Sequence, residues 1–459
     1  MIRNTLPAVL CTILGACAGE PADLAGSTDD AAGETTSTAT ANIVTTLPAT
    51  HTFAVSAGNS VLVRVADIGN TAFWPVVNVY DPAGTRVTWG SGTLVASASF
   101  RAATTGTYSA VVSDGVNPPA AIASYALYVA VAPGSSTGGA LSPGGMKAGH
   151  IDLGEIDSYT FTAATGEGIG LRVTDIAGGA LWPEVNVYGP AGNLVTWTNG
   201  QNVASVFFAA PSAGTYTVVV YDVSSGWAST GDYNLYFTKA PGANHDGLLS
   251  PGGMRAGHID EGEIDSYTFT AATGEGIGLR VTDIAGGALW PQVYVYGPAG
   301  NLVTWTNGAD VASVFFAAPS AGTYTVVVYD VSNGSASTGD YNLYFTKAPG
   351  ANQGGALISG GSVLAHIDEG ELDSYTFAAL TGDTIGLTVT DLAGGALWPQ
   401  MNIYGPAGNL VTWVNGQNVA SRSLRAPSTG TYTVVVFDVS NGWASTGDYR
   451  LDYARTPGP

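Results

Sequence analysis

Residues 156–163 read Ile156-Asp157-Ser158-Tyr159-Thr160-Phe161-Thr162-Ala163. Tyr159 and Phe161 are two apart, so an extended strand puts both rings on one face. Ile169, Leu171 and Val173 repeat that period just downstream. Val185-Asn186-Val187-Tyr188 follows, then Gly189-Pro190-Ala191-Gly192-Asn193, whose residue types favour a turn. Leu194 to Trp197 and Val203 to Ala209 read as further strands. Tyr216 to Val223 is apolar on both faces, as a central strand would be. Tyr233, Leu235 and Phe237 close the unit, facing inward. Seven or eight short strands at this spacing predict a β-sandwich or jelly roll. Its aromatics would bury roughly 150–250 Å² each.

The same unit recurs. Trp74-Pro75, Trp182-Pro183, Trp290-Pro291 and Trp398-Pro399 follow one another at an interval of 108 residues. Trp89, Trp197, Trp305 and Trp413 keep that interval, as do Tyr108, Tyr216, Tyr324 and Tyr432. A unit of this size can bury its own core, which predicts an independently folding domain rather than a solenoid repeat. The fold class expected is therefore all-β: four tandem β-sandwich, jelly-roll-like domains at 43–135, 139–242, 247–350 and 355–457. Segments such as Lys239-Ala240-Pro241-Gly242-Ala243-Asn244 read as linkers between them. The second and third copies are nearly identical and the first is diverged, so features shared with the first carry more weight.

Composition agrees with this reading. Apolar residues make up 45% of the chain and charged ones only 11%, so the wet surface must be Thr, Ser, Asn and Gly rather than the Lys and Glu of helix faces. A net charge of −21 repels phosphate backbones and argues against a nucleic-acid partner. Both cysteines, Cys11 and Cys17, lie at the extreme N-terminus, so the domains must fold without disulfides.

That N-terminus reads as an address. Met1-Ile2-Arg3-Asn4 is a short basic start, and Thr5 to Ala16 is mostly apolar but too short to span a bilayer as a helix. Leu14-Gly15-Ala16-Cys17 resembles a bacterial lipobox. The resemblance implies a signal peptide over 1–16 and lipidation of Cys17, which would then tie the chain to a membrane. An ordinary cleaved signal is the alternative. Ala18 is not the Asp of inner-membrane retention, so the expected location is the outer membrane or cell surface. Residues 17–42, rich in Gly, Ser, Thr and Ala, read as a disordered tether.

Four ordered blocks carry a second resemblance. They are Asp-Ser-Tyr-Thr-Phe at 157–161, Val-Tyr-Gly-Pro-Ala-Gly-Asn at 187–193, Pro-Ser-Ala-Gly-Thr-Tyr-Thr-Val-Val-Val at 211–220 and Gly-Asp-Tyr-Asn-Leu at 231–235. Together they resemble the bacterial pre-peptidase C-terminal domain. The resemblance covers nearly all of the chain after about residue 43 and implies a β-sandwich of secreted proteins, with roles in substrate attachment, secretion or calcium-aided stability. The first copy departs from it: Thr50-His51-Thr52-Phe53 and Ala123-Ser124-Tyr125 lack the acidic residues of the first and last blocks.

Three sets of aspartates are candidate calcium ligands: Asp67, Asp175, Asp283 and Asp391; Asp114, Asp222, Asp330 and Asp438; and Asp232, Asp340 and Asp448. Calcium needs six to eight oxygens, which strand-end Asp and loop carbonyls could supply. The favoured reading is plainer: such Asp cap turns by accepting local amides, and no EF-hand loop is present. Trp74 and its equivalents read as packing or loop-fixing residues. Trp227 and Trp443 differ, because their equivalents are Pro119 and Ser335. They are candidate ligand-binding residues that could stack on a sugar or anchor a protein contact, with a half-buried loop role as the alternative. His150, His258 and His366 read as surface strand residues.

No nucleophile elbow, HExxH or phosphate loop occurs. The function expected is non-enzymatic: multivalent attachment to polysaccharide or surface protein, gaining avidity of roughly 10²–10⁴ from repetition. A structural stalk without a specific ligand is the rival, and a cryptic hydrolase the third reading.

Overall fold

A computed structural model describes residues 38–459 apart from short segments at 70–72, 118, 177, 180, 225–228, 285, 287–288, 333–336, 393 and 441–444. The described residues form strands and no helix. They make eight sheets, paired around four separate apolar cores.

The second sandwich shows the plan. One sheet orders Gly145–Ile151, Gly231–Ala240, Gly168–Asp175 and Val203–Ala209, all antiparallel. The other orders Leu194–Asn199, Pro183–Tyr188, Gly214–Asp222 and Asp157–Ala163, with a two-residue parallel edge at Gly139–Ala140. Tyr159, Phe161, Ile169, Leu171, Val173, Tyr216, Tyr233, Leu235 and Phe237 all lie in the core between them. Period-two alternation predicted that set, and the pleat delivers it.

Two expectations need correction. The strand Thr38–Thr46 begins inside the stretch expected to be tether, and pairs with Ile122–Ala132 of the same sandwich. A sheet edge supplies backbone partners regardless of side chain. The sandwiches are also not separated by free linkers. Ala243 is buried, its N–H donating to the Lys239 carbonyl at 2.8 Å, and consecutive sandwiches abut face to face.

At the first junction Leu62, Tyr128 and Ala130 pack on Ile156 and Val219; at the second, Tyr236 and Ala240 pack on Ile264, Tyr296, Val327 and Tyr329; at the third, Tyr344 and Ala348 pack on Leu372, Tyr404, Val435 and Phe437. Each such large side chain contributes roughly 1.5–3 kcal/mol when fully buried.

One buried arginine occupies each junction. Arg172 donates from Nη1 to the Glu263 carbonyl (3.2 Å), from Nη2 to the Asp330 carbonyl (3.1 Å) and from Nε to Ser205 (3.0 Å). Its guanidinium lies over the Tyr329 ring. Arg64 repeats this on the carbonyls of Glu155 and Asp222 and the ring of Tyr221, and Arg280 on the Glu371 carbonyl and the ring of Phe437. Burial lowers the pKa of each arginine to about 10, which leaves it charged at neutral pH. The fourth sandwich has Thr388 at this place, and the first has Ser113 where the later ones offer Tyr221, Tyr329 or Phe437. Among the described sandwiches, the first therefore lacks the aromatic half of the lock and the fourth the arginine half.

Candidate functional site

The second aspartate set sits at the end of the central strand Gly214–Asp222 and its equivalents. Asp222 Oδ1 accepts the N–H groups of Trp182 (2.9 Å) and Ser224 (3.1 Å). Its Oδ2 accepts Ser224 Oγ–H (2.5 Å) and the Ser229 N–H (3.2 Å). Those four bonds fill the acceptor sites of one carboxylate. Asp330 repeats all four, Asp438 accepts from Trp398, Ser440 and Ser445, and Asp114 from Trp74, Val116 and Ala120. In the first set Asp67 accepts from Gly69, Asp175 from Leu181, Asp283 from Leu289, and Asp391 from Gly395 and Leu397. Among the described residues no three His, Cys, Asp or Glu side chains converge as a metal site.

The third set pairs with histidine on neighbouring strands. His150 Nδ1 lies 2.6 Å from Asp232 Oδ1, and its Nε2 lies 3.1 Å from Thr230 Oγ1. His258 with Asp340 and Thr338, and His366 with Asp448 and Thr446, repeat this. The connectivity is hydroxyl, imidazole, carboxylate, which invites comparison with an acyl-transfer triad. The environment does not suit that chemistry. The site is exposed, and the hydrogen bond to Asp232 raises the His150 pKa, which favours the protonated ring over the free base that acyl transfer needs. It ties the first strand of the sandwich to the last.

The Asp-Ser-Tyr-Thr-Phe block has a structural use that sequence reasoning missed. Tyr159 and Tyr233 hydroxyls meet at 2.6 Å between the two sheets, and Tyr233 donates to Asp157 at 2.6 Å. Tyr267, Tyr341 and Asp265, and Tyr375, Tyr449 and Asp373, repeat the chain. The first sandwich substitutes His51 Nε2, 2.7 Å from the Tyr125 hydroxyl, which explains how it manages without the acidic residue. The interval of 74 residues between each pair, kept in all four copies, was the signal available.

The described tryptophans are not core residues. Trp74, Trp182, Trp290 and Trp398 are 41–45% exposed, and Trp89, Trp197, Trp305 and Trp413 are 54–58% exposed. The first group is held by its backbone N–H on the strand-end aspartates, so the loop is fixed while the indole stays out. Trp227, Trp443 and Cys17 lie outside the described residues. At the second junction Phe207, Phe208, Tyr294, Tyr296 and Leu302 line a cleft of about 160 Å³. Enclosed small-molecule sites usually run to roughly 300–1,000 Å³.

Residues 155–222 and 263–330 match the bacterial pre-peptidase C-terminal domain. Among solved structures, the chain is similar to the pre-peptidase C-terminal domain of collagenase from Bacillus anthracis, at 18% identity over 22% of this chain and 92% of that one, with a TM-score of 0.19. It is also similar to Aeromonas hydrophila PliG, a periplasmic inhibitor of g-type lysozyme, at 18% identity over 21% of this chain and 84% of that one, with a TM-score of 0.18. None of the curated proteins matches the chain.

Proposed function

We propose that this chain is an exported surface protein that attaches to polysaccharide or protein through its repeated sandwiches, held at a membrane by lipid on Cys17. The observation that carries this reading is the exposed tryptophan pair of every sandwich. Trp89, in the first described sandwich, is as exposed as Trp197, Trp305 and Trp413. The cores do not use these rings, only Trp305 among the described ones touches a junction aromatic (Tyr294), and eight large, partly exposed apolar groups at a fixed interval suit a contact surface. The match of two segments to pre-peptidase C-terminal domains and the lipobox-like Leu14-Gly15-Ala16-Cys17 support export.

The full chain, immobilised by its C-terminus, would be passed over arrays of glycans and matrix proteins. Retention of at least one class is expected, and silence across both arrays would reject attachment. Cys17→Ser should move the protein from the membrane fraction to the soluble one. The rival reading, a surface stalk, draws on the arginine-locked junctions, which make the stack stiff; it predicts that no ligand is retained.

A further inference from the structure

Alternation fixes which side of the sandwich the tryptophans occupy. In Pro183–Tyr188 the side chains of Val185 and Val187 enter the core, so Glu184 and Asn186 face away from it. Trp197 stands opposite Asn186 and Asn199 opposite Glu184, which places them on that same outer side. Trp182 precedes the inward-facing Pro183 and begins the same row. Two indoles, roughly 13 Å apart along the strand, thus flank a polar pair in which Asn199 Nδ2 donates to Glu184 Oε2 at 3.4 Å.

Around this pair the first sandwich has Val76 and Ser91, while the third and fourth carry amides. Glu184 becomes Gln292 and Gln400, and Asn199 stays as Asn307 and Asn415. Asn199, Asn307 and Asn415 supply amides beside the indoles while Gln292 is buried, and in the first sandwich Arg86 is engaged with Asn78 at 3.1 Å. Indole faces match the apolar C–H faces of sugar rings, and amides match their hydroxyls. A chain with net charge −21 repels a polyanion.

Spacing decides between a polymer and a folded protein. Each sandwich adds two sheets to the stack, about 20 Å in all. Platforms that far apart do not make the contiguous patch of roughly 800 Å² that a stable protein contact needs from each partner. A flexible polymer can pass from one platform to the next, and the arginine-locked junctions hold the platforms at set distances.

Resting on the attachment reading above, we propose that the tryptophan pairs form one repeated binding surface for a neutral polysaccharide. The test uses the full chain and a variant carrying Trp89→Ala, Trp197→Ala, Trp305→Ala and Trp413→Ala. Both are measured by pull-down on insoluble cellulose, chitin and xylan and by affinity electrophoresis in soluble mannan and dextran. Alginate serves as the polyanion and gelatin as the protein. The parent should bind at least one neutral polysaccharide. The quadruple variant should bind it more than 100-fold more weakly and melt within about 2 °C of the parent, and Trp197→Ala alone should show a smaller loss. Unchanged binding by a folded quadruple variant, or preference for alginate, overturns the proposal. Tryptophan-dependent binding to gelatin alone overturns the polysaccharide while leaving attachment standing; a parent that binds nothing overturns both. If the quadruple variant melts early, the conservative set with Phe at all four positions separates the roles, because retained binding there supports stacking and its loss in a stable protein refutes it.

Discussion

The guanidinium of Arg172 lies 5.0 Å from the ring centroid of Tyr329, and the two residues belong to different sandwiches. Cation and ring face attract, and the contact is sealed from water. Phe207 also stacks on Tyr329, with ring centroids 4.7 Å apart and planes at 16°. What the repeat period marks out as four units is therefore held as one stack, through an outer sheet face that an isolated sandwich would leave wet.

Removing that arginine should be costly. Arg172→Ala leaves the buried Asp330 carbonyl and the partly buried Glu263 carbonyl without this donor, at roughly 1–3 kcal/mol each. Denaturant unfolding followed by tryptophan fluorescence should show a loss of about 2–6 kcal/mol, or an early transition as the junction parts. Thr388→Ala, at the equivalent place on an outermost face, should change stability by less than about 0.5 kcal/mol. Equal effects of the two substitutions would contradict the lock.

A second test uses one turn in two contexts. Gly192 and Gly84 both sit at positive φ, 75° and 80°, in equivalent turns. A Cβ on Gly192 would fall 2.6 Å from the Gly58 carbonyl oxygen of the preceding sandwich, while one on Gly84 meets nothing within 4 Å. Both Ala variants carry the same backbone strain of roughly 1–2 kcal/mol. Only Gly192→Ala should also push the junction open, so its melting temperature should fall further. Matching melting curves would show that the junction does not constrain this turn.

The inward half of each sandwich could be read from Tyr159, Phe161 and their neighbours, because strand period alone assigns their face. The strand Gly145–Ile151 could not, since Gly-Met-Lys-Ala-Gly-His-Ile offers no apolar alternation. The junctions were hidden for another reason. Val219 and Tyr221 look like the outer residues of any central strand until the preceding sandwich is known to cover them. The signal lay in the copies that break the pattern: Thr388 for arginine and Ser113 for tyrosine. At Trp74 and its equivalents the loop-fixing reading fits the backbone N–H bonds to the strand-end aspartates, while the exposed indoles do not fit core packing.

The strand-end aspartates bear on calcium. With all four acceptor sites of Asp222 taken by Trp182, Ser224 and Ser229, a cation would have to break the loop to bind. Saturation at 100 times Kd would stabilise a calcium-binding protein by about 2.7 kcal/mol, which raises the melting temperature of a 100-residue domain by several degrees. Differential scanning calorimetry with 5 mM calcium or 5 mM chelator should instead differ by under about 1 °C. A rise of several degrees would restore the metal reading for this set.

Proton uptake by the buried carboxyls gives the stack a pH dependence. Burial, aided by the charge of Asp246, raises the Asp265 pKa to about 8, and burial raises that of Asp373 to about 7. Unfolded aspartate titrates near 3.9. Between pH values of about 4 and 8 the folded third sandwich therefore keeps a proton that the unfolded chain has released. The unfolded state binds fewer protons there, so stability falls as pH rises, by at most about 1.4 kcal/mol per pH unit for each such group. The contribution is complete below about pH 4 and is lost as the pH passes the folded value. Asp265→Asn keeps an acceptor for Tyr341, which donates to Asp265 at 2.5 Å, and has no proton to give up. Urea unfolding at pH 4, 6 and 8 should show the variant close to the parent at pH 4 and more stable than it at pH 8. A constant difference across the range would mean that Asp265 is ionised in the folded protein throughout, and that its tyrosine partners, rather than a held proton, make its burial tolerable.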